Sequence, residues 1–467
     1  MGVQSLGFFS DIRADRNLTK CMTARDLTSS DAVETISRLR KIAPTSVQKL
    51  IERYGTAAAP EAERIEEILD LLLDDSTFPH FVEGLKSNAH PRLLKAMVRL
   101  LSSVDHYNVN ALTQLLDDAD ISKPSVLRVI KAQVSKMDAG LLLSKAYTLA
   151  PAERAALFQI LSDKADESLV PELVKRADAQ DPGIRLGVVR LLKKFDSALV
   201  RSTLMDRLKD PARQVRGEAL DALATHGDAV DISVFCRLLK DPDMSIQERA
   251  IDAVVKKNDP NVIPHLVELL KDKAEQVRRA AVEVLNGLEF ETAVKDLLMA
   301  LKDEDWWVRA RAADALARIG GRRVVEAVVH LLRSDDEYIR RSAVEILNST
   351  RDEVAMDHLL QALGDSDWWV RERAIDALAN IGNKAAVPAL VKLMNEDTQA
   401  APIVLKALVT LGSERQVRDV LAQLGTKDEA TVLEAMNTLA EIVDASQAER
   451  AVKAIKRRAH GEGEDIR

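Results

Sequence analysis

From about residue 184 the apolar positions of the chain return in one pattern every 31 residues. A Val or Ile precedes a polar residue at Arg185, Arg216, Gln247, Arg278, Arg309, Arg340 and Arg371. With that polar residue as position zero, position −1 is Ile184, Val215, Ile246, Val277, Val308, Ile339 and Val370. Position +3 is Ala219, Ala250, Ala281, Ala312, Ala343 and Ala374; position +4 is apolar throughout; position +7 is Leu223, Val254, Leu285, Leu316, Leu347 and Leu378. Offsets of −1, +3, +4 and +7 share one face of an α-helix, and the repeated Ala lets a neighbouring helix approach closely. A second, shorter apolar segment follows in each unit, as in Val324 to Leu332 and Ala386 to Leu393. Gly320 and Gly382 stand between the two, where a helix ends on a residue of positive φ. Each unit therefore reads as two antiparallel helices with an apolar face that only a neighbouring unit covers. The pattern predicts an all-α, right-handed α-solenoid of stacked helix pairs with a 31-residue period. The frame continues more weakly through Pro402 and Leu433.

Residues 181–455 form the regular array. Residues 26–180 read as degenerate repeats, with helix starts after His90, Pro124 and Pro151. Residues 1–25 read as a loosely held segment, and 456–467 as a polar, disordered tail. Within the array a longer period is visible. Asp305-Trp-Trp-Val-Arg returns 62 residues later at Asp367, and Val277-Arg-Arg returns as Ile339-Arg-Arg. The central block reads as a duplicated pair of units.

Asp recurs at position −6, in Asp210, Asp241, Asp272, Asp303 and Asp365. This Asp-x5-Arg spacing, with Val or Ile before the Arg and Ala after it, resembles the HEAT repeat, in particular the short bacterial type named after phycobilisome lyase subunits. The resemblance covers roughly residues 180–440. It implies that Asp and Arg hydrogen-bond between neighbouring repeats as a structural ladder, Asp303 with Arg309 and Asp365 with Arg371 among them. Gln247 and Ser334 interrupt that ladder, and the stack is expected to be weaker at both.

Composition narrows the function. The chain has 467 residues, 46 % of them hydrophobic but only 3 % aromatic, with a net charge of −8. That balance does not suit a general nucleic-acid binder. Cys21 and Cys236 lie far apart without metal-type spacing, which points to free thiols and the cytoplasm. No signal peptide, acylation motif or membrane-spanning stretch is read, so no stable membrane insertion is expected. None of the eight His is followed by Glu, as in the HEAT-like metal hydroxylases, and no phosphate loop or nucleophile elbow occurs. No catalytic residue, metal ligand or cofactor is expected.

What remains is a surface. Trp306, Trp307, Trp368 and Trp369 are all the tryptophans of the chain, at positions −3 and −2, where other units carry polar residues; Tyr338 holds −2 in the unit between. Either these rings offer a binding column or each lies flat across its neighbour as filler. Position +5 is acidic in Asp221, Asp252, Glu283, Asp314, Glu345 and Asp376 and is expected to form one row along the concave face. Arg249, Arg311 and Arg373 precede the acid by three residues, Arg279 and Arg341 by four, spacings that allow pairing on the same helix. The reading is a non-catalytic scaffold or adaptor holding a protein or peptide partner on that concave face. Its candidate contacts are Trp306, Trp307, Tyr338, Trp368, Trp369, Arg311, Arg341, Arg373, Asp314, Glu345 and Asp376. The alternatives, carried by resemblance alone, are a bilin lyase-like subunit and a HEAT-like DNA glycosylase; the acidic row opposes the second.

Overall fold

A computed structural model of the chain describes residues 2–411, apart from 105, 398 and 399. The expected continuation at Leu433 and the polar tail at 456–467 lie outside the described residues. Among those described, structure is helical, with one isolated antiparallel bridge between Lys86 and Ile121. The chain divides into two units, Met1–Val230 and Asp231–Arg467.

In the second unit a long helix closes each repeat: Met244–Lys257, Glu275–Leu288, Trp306–Ile319, Glu337–Thr350 and Trp368–Ile381. These pack on one another in sequence order, and shorter helices, Ile263–Leu269, Val294–Ala300 and Met356–Ala362, pack against the long helices that follow them. The register read from the sequence holds. Ala250, Ala281, Ala312, Ala343 and Ala374 are fully buried, as are Val254, Leu316, Leu347 and Leu378. A methyl group at the crossing lets the two backbones approach, and a larger side chain would force them apart.

Four of the five long helices begin on a capping Asp, while Glu275–Leu288 begins after Ala274 without a side-chain cap. Asp243, Asp305, Asp336 and Asp367 cap their helices, each accepting a backbone N–H from its first turn. The exits all use a positive φ eleven residues after position zero: Asn258 (49°), Glu289 (53°), Gly320 (59°), Arg351 (53°) and Gly382 (80°). The glycines at this position were legible. The turn is equally imposed on Asn, Glu and Arg, which enter it because stacking fixes where the chain must reverse.

The first unit is less regular. Helices Pro91–Ser103, Lys123–Gln133 and Pro151–Ser162 begin at the expected prolines. Buried Gln133 donates its amide to the carbonyls of Leu101 (2.9 Å), Ser102 (3.1 Å) and Val104 (2.7 Å), satisfying the end of the preceding helix without any charge. Residues 1–25, read as loosely held, contain the helix Gly2–Thr23. Ala14, Leu18 and Cys21, spaced by four and three, are buried where it packs on Ser30–Arg40 and Ala43–Tyr54. That stripe is only three residues long, too short to stand out among the surrounding polar positions. The 31-residue frame also begins one unit before residue 181. Arg154 sits at position zero and donates to Asp181 at 2.6 Å and to the Leu149 carbonyl at 2.9 Å.

Candidate partner-binding surface

The repeated Arg at position zero does two things at once. Its Nη1 donates to the backbone carbonyls that precede its own helix: Arg278 to Asp272 (3.0 Å), Arg309 to Asp303 (2.8 Å), Arg340 to Ser334 (2.9 Å) and Arg371 to Asp365 (2.8 Å). Its Nε and Nη2 grip the carboxylate of the Asp 25 residues on, in the next repeat. Arg185 holds Asp210 at 2.7 and 2.8 Å, Arg278 holds Asp303 at 2.9 and 3.0 Å, and Arg340 holds Asp365 at 2.9 and 3.1 Å. The ladder expected from the resemblance is therefore present. The partner of the Asp303 carboxylate is Arg278 of the preceding repeat, while Arg309 takes the Asp303 backbone. The same Asp also accepts the backbone N–H two residues on, as Asp303 does from Asp305 (2.8 Å).

The aromatic residues stand at the mouth of this ladder, in the first turn of their helices. Trp306 is 63 % exposed, Tyr338 56 %, Trp307 and Trp368 38 % each, and Trp369 is half-buried. Successive residues on a helix diverge by about 100°, so neither member of a pair shares its partner's direction. Trp306 and Trp307 meet edge to face with centroids 5.5 Å apart. A guanidinium stacks on all but Trp306: Arg311 on Trp307 (5.1 Å), Arg371 on Trp368 (5.2 Å), Arg373 on Trp369 (5.3 Å), and both Arg341 (5.6 Å) and Arg309 (5.8 Å) on Tyr338. The rings are thus held in place while much of their surface stays in solvent.

The carboxylates set where those arginines point. Arg311 bridges Glu283 of the preceding helix (2.9 Å) and Asp314 of its own (3.1 Å). Arg373, its duplicate, bridges Glu345 (3.6 Å) and Asp376 (3.4 Å) more loosely. The acids at position +5 of neighbouring units are so linked in two pairs within the second unit; Asp221 belongs to the first. Arg279 and Arg341 pair on their own helix with the Glu four residues before, Glu275 (3.6 Å) and Glu337 (3.8 Å), rather than with the acid four residues on. They reach to the next helix and clamp its capping residue, Arg279 to Asp305 (2.6 Å) and Arg341 to Asp367 (2.5 Å). The hydrogen-bonded guanidinium holds each of these two carboxyls below the usual range, so that both stay ionised at the helix N-terminus, where negative charge is favoured. Among the described residues no cluster of His, Cys, Asp and Glu has the arrangement of a metal site, and no helix is long and apolar enough to cross a membrane.

Helix pairs stacked through a repeated Arg–carboxylate clamp define a tandem-repeat α-solenoid protein. The chain belongs to the HEAT-repeat family: the family model for HEAT repeats matches residues 141–224, 201–286, 263–348 and 330–403, more than half of its length. No curated protein matches the chain. Among solved structures it is similar to the karyopherin Kap121p bound to the SUMO protease Ulp1p, with a TM-score of 0.52 and 13 % identity over 86 % of this chain and 49 % of that one. A Kap121p mutant gives a TM-score of 0.50 and 16 % identity over 93 % and 49 %. Kap95p, whose binding induces the switch loops of RanGDP to adopt the GTP-bound conformation, gives 0.44 and 16 % over 97 % and 64 %. These likenesses show the fold alone. The chain spans less than two thirds of the Kap95p chain and about half of Kap121p.

Proposed function

We propose that this chain is a non-catalytic scaffold of the cytoplasm that captures a protein or peptide partner on the face formed by Trp306, Trp307, Tyr338, Trp368 and Trp369. The observation that carries the reading is the concentration of every tryptophan of the chain, with Tyr338, in the first turns of three successive long helices, exposed in all but the half-buried Trp369. Filler rings would be buried. All but Trp306 are held by guanidinium stacking, and Arg beside a large aromatic ring is the composition of interface hot spots. Arg311, Arg341 and Arg373 with Asp314, Glu345 and Asp376 supply a charged border. The row of +5 acids favours a protein partner over a polyanion, and the fold is shared with a karyopherin seen bound to another protein. The two cysteines are free and buried, in keeping with a reducing compartment.

The test is the full chain carrying Trp307→Ala and Trp369→Ala. Each substitution removes a cation–π contact worth about 0.5–1 kcal/mol together with the sheltered part of the ring, a loss expected to leave the fold intact. Proteins retained from the native host by the unaltered chain should be lost by the variant. Retention of the same proteins, or ready unfolding of the variant, would return the rings to a packing role.

A further inference from the structure

Among the described residues, one arginine of the ladder lacks the carboxylate that the fork holds elsewhere. Position −6 is Asp in the units before and after, but Ser at 334. Ser334 keeps half of the Asp role: its hydroxyl accepts the backbone N–H of Asp336 at 3.3 Å, as Asp303 accepts that of Asp305. It drops the other half, the carboxylate that the preceding arginine would grip. That arginine is Arg309. Its Nη1 is anchored on the Asp303 and Glu304 carbonyls at 2.8 and 2.9 Å, the same anchorage that orients Arg278 and Arg340. Among the described residues its Nε and Nη2 have no hydrogen-bond partner, although these are the two atoms that bind a carboxylate in the other units. Asp335 and Asp336 follow in the same turn. Asp336 is engaged as the cap of Tyr338, and neither forms an ion pair with Arg309 among the described residues. The guanidinium lies 5.8 Å from the Tyr338 ring, in the middle of the aromatic column.

We infer that Arg309 is a preformed receptor for a carboxylate of the partner, an Asp or Glu side chain on a segment whose neighbouring apolar side chains pack on Trp307, Tyr338 and Trp369. This rests on the reading of the aromatic column as a binding surface. The geometry for the guest carboxylate is already realised elsewhere in the chain: an N–H fork with donor distances of 2.7 to 3.1 Å. The fork is held before the ligand arrives, so little side-chain entropy is lost on binding. Planar, bidentate recognition also prefers a carboxylate to a neutral acceptor.

The experiment uses a displayed library of random twelve-residue peptides, selected on the full chain and counter-selected on the Trp307→Ala, Trp369→Ala variant. The selected peptides are expected to share an Asp or Glu beside aromatic or aliphatic residues. They should lose about 10-fold or more in affinity when that acid becomes its amide. They should lose as much against Ser334→Asp, which fills the fork from within, and bind Ser334→Asn, which keeps the turn without the charge, as they bind the unaltered chain. Peptides that depend on the tryptophans yet bind Ser334→Asp undiminished, or share no acid, would overturn the role of Arg309 and leave the column standing. Failure to recover any tryptophan-dependent peptide would remove the column and this inference with it.

Discussion

The ladder is interrupted at Gln247, where the guanidinium is missing, and at Ser334, where the carboxylate is missing. The second unit treats the two gaps in opposite ways. At the first, Gln247 turns its amide to the Leu239 carbonyl (3.2 Å), and the Asp272 carboxylate left without its arginine is taken by Lys240 at 2.7 Å. A cation seven residues upstream thus closes the gap. At the second, Arg309 keeps its anchorage and no anion among the described residues replaces the lost one. The closed gap lies in a unit with Met244 and Ser245 at positions −3 and −2, the open one beside Tyr338 between the two tryptophan pairs. The contrast teaches that an interrupted pattern has two meanings. One is substitution by a neighbour with the same charge; the other is a group left available to something outside the chain.

The largest expected effect comes from creating a third gap where the ladder is intact. Arg278→Ala would strand the nearly buried Asp303 carboxylate and should cost about 3–5 kcal/mol, seen as a lower urea midpoint with faster amide exchange across the helices 275–288 and 306–319. If the cost is below about 1 kcal/mol, the clamps are not what joins the repeats. Next in size is closure of the open gap: Ser334→Asp should stabilise the chain by about 1–2 kcal/mol through two charge-assisted hydrogen bonds. A rise in melting temperature supports a vacant fork, and a fall would show that the site repels a carboxylate.

Acid sharpens the same comparison. Lys240, hydrogen-bonded to Asp272, holds that carboxyl below its ordinary value. Asp272 therefore contributes stability above about pH 4, lost as pH falls through its folded value. The open gap has no such group, so Ser334→Asp should add an increment of stability that disappears over the same acidic window; an increment independent of pH would contradict the ion pair. The smallest effect is expected at the exposed repair itself. Lys240→Ala should cost no more than about 1 kcal/mol, and less still in a Gln247→Arg background, where the ladder arginine takes over Asp272. Additive costs would mean that the two cations do not compete for one carboxylate.

Much of this was legible in the residues. A step of 31 with apolar positions at −1, +3, +4 and +7 specifies a helix face, and a repeated small residue specifies a close crossing. Both predict the buried alanines directly. Gln247 and Ser334 were visible as breaks, but both were read as weak points, because the compensating Lys240 stands outside the Asp-x5-Arg spacing. The tryptophan pairs were conspicuous by their rarity. That both rings of a pair cannot face the core followed from the 100° step, yet the arginines that stack on Trp307, Trp368 and Trp369 did not.

The reason lies in the reach of the interactions. The sequence by itself determined what depends on neighbours within a turn or two: helix period, core stripe and the glycine exits at Gly320 and Gly382. Tertiary structure decided which carboxylate the arginines take beyond their own helix. Arg279 and Arg341 each keep a loose contact with the Glu four residues before, at 3.6 and 3.8 Å, but their hydrogen bonds go to a capping Asp 26 residues away. A local pair on an exposed helix face competes with water and gains little. A carboxylate held at a helix N-terminus, partly sheltered by the next repeat, offers a fixed and less hydrated partner. That shelter exists only once the helices have stacked, and so does the empty fork at Arg309.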